Sequence, residues 1–140
     1  MKNKRFKPKF DKLFCIPVVI ACILLVAGTV LAVLAPPALF VMIPCDLMLL
    51  YFMLSPFFGY AELRENTVFI KFGFFLKKEI PYNKIRRLEK GYRWYSESMT
   101  ALKNSMEHVN IWYNTYDVTT VSVVDNDEFI QELCARSAVR

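Results

Sequence analysis

The sequence is poor in the residues on which most enzyme sites depend. Its 140 residues include one histidine, His108, four glycines and four cysteines, and no two cysteines form a C-x-x-C pair. A metal centre needs several His, Cys, Asp or Glu residues at ligand spacing, and the sequence has no such group. A glycine-rich phosphate loop is missing as well. We therefore expect no catalytic site, no metal and no other cofactor.

Charge is nearly absent between residues 13 and 60, where Asp46 is the one charged residue. An uncharged apolar run of roughly 18 or more residues predicts a transmembrane helix. We predict two, at 13–35 and 38–60, with a reversal at Pro36-Pro37, because proline lacks an N–H and disfavours helix at the preceding residue. A cleaved signal peptide is the alternative for the first run, but its apolar core would span only about 7–15 residues.

Positive charge is concentrated in the N-terminal tail. Residues 1–12 contain six Lys and Arg residues against Asp11, whereas residues 60–140 contain twelve basic and eleven acidic residues. Basic segments that flank membrane spans stay in the cytoplasm. We therefore expect a multi-pass protein of the cell membrane with both termini cytoplasmic. Its parts would be a basic tail (1–12), a two-helix hairpin (13–60) and a cytoplasmic domain (61–140).

The segment after the hairpin shows the two-residue period of half-buried strands. In Thr67–Phe74, for example, one face collects Val68, Ile70, Phe72 and Phe74, whereas Thr67 and Lys71 lie on the other. About six antiparallel strands are predicted: Tyr60–Leu63, Thr67–Phe74, Leu76–Pro81, Ile85–Tyr92, Met106–Tyr113 and Val118–Val123. Such strands predict a curled antiparallel sheet or partly open barrel, which must bury one face and cover its edges.

The period changes to that of a helix near the C-terminus. Asp125 stands three residues before Glu128, which is typical of a helix N-terminus. One helical face then gathers apolar residues, namely Phe129, Ile130, Leu133 and Cys134. We predict one amphipathic C-terminal helix that covers the sheet.

Short motifs along residues 58–135 resemble the bacterial pleckstrin-homology-like (PH-like) domains of the membrane-anchored YyaB-like type. The matching residues are Gly73, Ile80, Pro81, Ile85, Ser122 and Phe129. Val123 replaces the usual proline, and Leu88 replaces an isoleucine. The resemblance implies a membrane hairpin followed by a mainly-β PH-like domain, a bent barrel of two sheets with one end plugged by a C-terminal helix. It implies no catalytic residues.

Asp46 is the strongest candidate for a functional residue in the apolar run. An acid inside a bilayer costs roughly 2.5–3.5 kcal/mol on insertion scales. Asp46 is either an intramembrane polar contact or protonatable site, or an acid that reaches water near the outer interface.

Basic residues cluster between Lys71 and Arg93, where eight Lys and Arg residues face Glu79 and Glu89. The inner leaflet of a membrane is anionic and attracts such residues. We name four candidate contacts with anionic lipid: Lys77, Lys78, Arg86 and Arg87. The alternative is that they are the solvated faces of alternating strands. Nucleic acid is not expected as a partner, because the net charge of the domain is small. His108 is expected to face solvent, opposite the apolar face of its strand.

Together these features favour a non-enzymatic binding or scaffolding module at the inner face of the cell membrane. Its partners would be the bilayer and a protein, which a second copy of the chain could supply. The alternative is an auxiliary subunit of a transport or envelope-stress complex that is recognised through the hairpin.

Overall fold

The computed structural model describes residues 2–98 and 101–137. It begins with a helical hairpin of α1 (Lys12–Val33) and α2 (Pro36–Leu54), followed by a short 3₁₀ turn at Ser55–Phe58. The chain reverses at Leu34 and Ala35, slightly earlier than the sequence predicts. Pro36 and the next proline open α2 instead, since the first N–H groups of a helix have no partner within it and nothing is lost there.

The two helices are apolar on all sides and almost unburied. Ala32 is the only buried residue of α1 and α2 has none, in two helices that the structure describes in full. Both are long and apolar enough to cross a membrane. A helix without a polar face needs an apolar environment around it, which is either a large protein core or a bilayer.

The β-domain consists of two four-stranded sheets, and all strands except β1 follow the hairpin. In spatial order, sheet 1 contains β1 (Lys4–Phe6), β2 (Tyr60–Leu63), β3 (Thr67–Phe72) and β4 (Leu76–Pro81). Sheet 2 contains β5 (Ile85–Tyr92), β7 (Glu107–Tyr113), β8 (Asp117–Val121) and β6 (Ala101–Leu102). One apolar core joins both sheets, and the sheets do not close into a barrel. The predicted order of apolar hairpin, β-domain and final helix is confirmed.

Two strands and one pairing differ from the prediction. β1 and β6 are missing from it because segments of three and two residues are too short to show a period. β6 also runs parallel to β8, although only antiparallel pairs were expected. Parallel strands need a crossover connection of about a dozen residues or more, and residues 103–116, which include β7, lie between β6 and β8.

The N-terminal tail is part of the β-domain. β1 pairs antiparallel with β2, and further along Pro8 bridges Val123 and Phe10 bridges Asn104. Residues 4–10 therefore run from the edge of sheet 1 across to sheet 2. The prediction treats residues 1–12 as a separate basic tail, whereas Phe6 is buried in the common core.

The C-terminal helix α3 (Asn126–Arg136) covers one side of this core. Its predicted start is confirmed, because the Asp125 side chain accepts a hydrogen bond of 2.9 Å from the backbone N–H of Glu128. Phe129 and Leu133 are fully buried, as their shared helical face predicts. Burying large apolar side chains of this kind contributes roughly 1.5–3 kcal/mol each.

Candidate membrane-facing site

The turn between β3 and β4 lies against the end of α2. Gly73, in this turn, has a φ of 75°, and a Cβ on it would lie 1.6 Å from the Oγ atom of Ser55. Only glycine combines this backbone conformation with so close an approach. The Phe74 ring lies 4.6 Å from the Phe58 ring, and the Phe75 ring lies 5.8 Å from that of Tyr51 in α2. The turn therefore reaches back along the last turn of α2.

The start of α1 is joined to sheet 2 in a similar way. Asp11, the residue before α1, does not cap the helix; its carboxylate accepts hydrogen bonds from Ser105 Oγ at 2.7 Å and from the Met106 N–H at 2.9 Å. These bonds, with that of Ser105 first, lower the pKa of Asp11. The exposed Trp94 lies nearby and, with Met106 and the α1 residues Leu13, Phe14 and Pro17, lines an apolar cavity of about 200 Å³.

The structure separates the four basic residues that the sequence groups together. Lys77 stands opposite Lys71, one residue pair before the β3–β4 turn, so it lies at the hairpin end of the domain. Lys78 follows it, with its Nζ atom 4.8 Å from the centre of the Tyr113 ring. Arg86 and Arg87 lie at the other end of β5 from Tyr92, about 17–20 Å away at ~3.3 Å per residue. The four basic residues therefore do not lie together on one surface of the domain.

Charge on the outer face of sheet 1 changes sign with distance from the helices. The row nearest the helices holds Tyr60, Lys71 and Lys77, which stand opposite one another on β2, β3 and β4. The next row away holds Glu62 and Glu79, with Phe69 between them. Both acids pair with Arg64, at 3.7 and 2.5 Å. The prediction omitted Lys71, whose position opposite Lys77 depends on strand register.

Asp46 contacts the neighbouring helix. Thr29 Oγ1 of α1 lies 2.7 Å from Asp46 Oδ2 of α2 and 2.8 Å from the carbonyl oxygen of Leu25, so its single hydroxyl proton is shared between these two acceptors. The Asp46 carboxylate thus has a polar partner inside the apolar hairpin. The sequence indicates the acid, but which residue of the other helix faces it depends on helix packing.

His108 does not face solvent, so that expectation is wrong. It is 1% exposed, and its Nδ1 atom lies 3.0 Å from the carbonyl oxygen of Met106. Its ring lies over Gly91 of β5, where a Cβ would come within 2.7 Å of Nε2. Both faces of β7 are covered, since Asn110 is buried too and accepts a hydrogen bond from Thr120. Burial lowers the pKa of His108 and favours the neutral ring.

A network of charges ties the N-terminal tail to the domain. Glu107 accepts bonds from Lys9 at 2.6 Å and from Lys90 at 2.7 Å, and Lys90 also bonds Asp127 at 2.7 Å. The network links the tail, β5, β7 and α3. The hydrogen bond from Lys9, followed by that from Lys90, lowers the pKa of Glu107 to about 2.

A cleft of about 520 Å³ lies beside Arg136. The side chain of Arg136 is only 7% exposed, and it donates to the carbonyl oxygens of Leu63, Arg64 and Lys2 at 3.1–3.4 Å. It therefore fastens the tail and β2 to α3. Among residues 2–98 and 101–137, no group of three or more His, Cys, Asp or Glu residues could hold a metal ion.

Two layers of mainly antiparallel strands around one core, with a single C-terminal helix, define a PH-like fold next to two apolar helices. The family comparison agrees: the model of the bacterial PH domain matches residues 60–137. The chain belongs to this family. Neither a curated protein nor a solved structure matches the chain significantly.

Proposed function

We propose that this protein is a membrane-anchored binding or scaffolding module of the YyaB-like type. In this proposal α1 and α2 cross the cell membrane, and the PH-like domain rests at its inner face without catalysing a reaction. A protein partner would add to an exposed strand edge, because β4 ends sheet 1 and β5 ends sheet 2. Unpaired edges offer backbone donors and acceptors for strand addition.

The observation that carries this proposal is the attachment of the domain at both ends of the hairpin. The carboxylate of Asp11 bonds the β6–β7 connection directly before α1 begins. Gly73 packs on Ser55 directly after α2 ends. Without a linker on either side, the domain is held beside the bilayer in one orientation, which suits a scaffold that must present one face.

The pairing of β1 with β2 supports two crossings of the membrane. Residues on either side of the hairpin share one sheet, so they lie on the same side of any bilayer that the helices span. The basic tail favours the cytoplasmic side. A reporter enzyme that is active only in the cytoplasm, fused after the last residue, should be active; activity of a periplasmic reporter instead would overturn the orientation.

A second candidate function rests on the contact between Thr29 and Asp46. A carboxylate inside the hairpin could exchange this bond for a polar group of a partner helix, and the hairpin would then recognise a transport or envelope complex. In that case the domain would only stabilise the hairpin.

Affinity capture from detergent separates the two candidates. The full chain, a chain without residues 60–137, and the Asp46→Asn variant of the full chain are compared for the proteins they retain. The proposal expects the partner to be lost with the domain and kept by Asp46→Asn. Equal recovery by the first two chains would reject the domain as the binding part, and loss in Asp46→Asn would favour the hairpin.

A further inference from the structure

The β3–β4 turn has a composition that is unusual for a turn in water. Connections of this type usually contain Gly, Asn, Asp, Ser or Pro. Here Gly73 is followed by three apolar residues in a row, Phe74, Phe75 and Leu76, which are 43%, 81% and 59% exposed. A contiguous exposed apolar patch of this kind indicates a contact surface.

The position of the turn identifies the surface that covers it. The ring centres of Phe74 and Phe75 each lie 5.8 Å from that of Tyr51. Tyr51 stands three residues before the last residue of α2, which is about 4.5 Å along the helix axis at ~1.5 Å per residue. The apolar tip is therefore level with the end of a helix that is itself apolar all round. A bilayer that contains α2 would reach the tip as well.

Two lysines lie directly above this tip. Lys71 and Lys77 stand opposite each other on β3 and β4, which places two like charges on one face of a strand pair and destabilises it. Within residues 2–98 and 101–137, neither lysine forms an ion pair with a carboxylate. An anion bound between them would relieve the repulsion.

Another exposed aromatic residue, Trp94, lies beside the start of α1, as the β3–β4 turn lies beside the end of α2. Trp94 is 74% exposed. Trp and Tyr prefer the boundary between lipid and water. Apolar tip, aromatic residues and lysines thus follow one another in the order of acyl chains, interface and headgroup phosphates.

We propose that the β3–β4 turn is a second membrane anchor: Phe74, Phe75 and Leu76 enter the bilayer interface beside α2, and Lys71 and Lys77 bind the phosphates of anionic lipids. This proposal rests on the proposed function, because it needs α2 in the membrane. It revises the predicted lipid contact, since Lys77 belongs to the anchor whereas Arg86 and Arg87 lie at the start of β5, at the other end of the domain.

Depth-dependent quenching tests the apolar part of the anchor. Single-tryptophan versions of the full chain carry Trp94→Phe and Trp112→Phe with one further change. This change is Phe75→Trp, Phe52→Trp in α2, or Tyr116→Trp in the β7–β8 turn, where Tyr116 is 89% exposed. The proteins are reconstituted in vesicles of phosphatidylcholine and phosphatidylglycerol that contain dibrominated acyl chains. We expect quenching at positions 52 and 75 and none at 116.

The outcomes distinguish the two proposals. Quenching at 52 without quenching at 75 would overturn the anchor and leave the membrane-spanning helices intact. Absence of quenching at 52 would overturn both. Circular dichroism of each variant first confirms that the fold is retained.

Lipid retention tests the cationic part independently. Native mass spectrometry of the detergent-purified chain measures bound phosphatidylglycerol for the wild type, for Lys71→Gln with Lys77→Gln, and for the charge-matched control Arg86→Gln with Arg87→Gln. We expect retention to fall roughly five-fold for each lysine removed and to stay unchanged in the control. Equal loss in both double variants, or in neither, would overturn the assignment of the phosphates to Lys71 and Lys77.

Discussion

Phe6 packs edge-on against Phe129, with ring centres 5.2 Å apart and planes at 80°. Strand β1, which precedes the hairpin in the sequence, and helix α3, which follows it, thus meet in the core of the domain. This contact makes the N-terminal tail a structural part of the PH-like domain, although the family match begins only at residue 60.

Replacing Phe6 should therefore destabilise the whole domain. Phe6 is 6% exposed, and Phe6→Ala should lower the free energy of unfolding by about 3–5 kcal/mol, because it removes buried apolar surface and leaves a cavity. Denaturant or thermal unfolding of the purified chain in detergent measures this. Phe75→Ala is the matched control, since Phe75 is 81% exposed. Equal stability of the two variants would mean that β1 does not pack against the core of the domain.

Glu107 should make part of the stability depend on pH. Its pKa is about 2 in the folded chain against 4.5 ordinarily, because Lys9 and then Lys90 bond the charged form. The unfolded chain therefore takes up this proton first as the pH falls. The stability that Glu107 contributes is complete above about pH 4.5 and is lost progressively toward pH 2.

Unfolding midpoints measured between these two pH values should fall less steeply in Glu107→Gln than in the wild type. Glu89→Gln is the control, since Glu89 has one long contact of 3.7 Å, to Arg87. Parallel pH profiles for wild type and Glu107→Gln would show that the two lysines do not hold this carboxylate.

Gly91 should tolerate no side chain while His108 lies over it. A Cβ on Gly91 would lie 2.7 Å from Nε2 of the buried histidine ring, so Gly91→Ala should cost about 1–3 kcal/mol through overpacking. The double variant with His108→Ala should lose less stability than the sum of the two single losses, because the new methyl group would occupy the space that the histidine ring leaves.

The matched control is Gly28→Ala. There the new Cβ would meet only the flexible end of Met42, at 3.2 Å, so a smaller effect is expected. Strict additivity of Gly91→Ala and His108→Ala would place the histidine ring elsewhere.

Thr29 and Asp46 should be energetically coupled. A double-mutant cycle with Thr29→Val and Asp46→Leu should give a coupling energy of about 0.6 kcal/mol, the average for hydrogen bonds between membrane helices. Unfolding in detergent measures each corner of the cycle. The pair Thr29→Val and Leu49→Ala should show none, because Leu49 is an exposed residue of α2 without a polar group. Coupling of the same size in both cycles would assign it to general helix packing.

The sequence by itself determines the parts of this protein that depend on local pattern. The uncharged run predicts two apolar helices, because the cost of burying charge acts residue by residue along the chain. Alternation predicts the strands of Thr67–Phe72 and Glu107–Tyr113 within a few residues. Asp125 and Glu128 predict the start of α3, since a helix cap needs only neighbours three residues apart.

Only the tertiary structure decides which distant residues meet. It turns the basic tail into a strand, buries the His108 ring over Gly91, and places Lys71 opposite Lys77 while Arg86 and Arg87 lie elsewhere. Strand register and sheet packing set these relationships, and both come from the summed burial of apolar side chains far apart in the chain. Local periodicity shows that a strand has an apolar face, but what covers its other face depends on the rest of the fold.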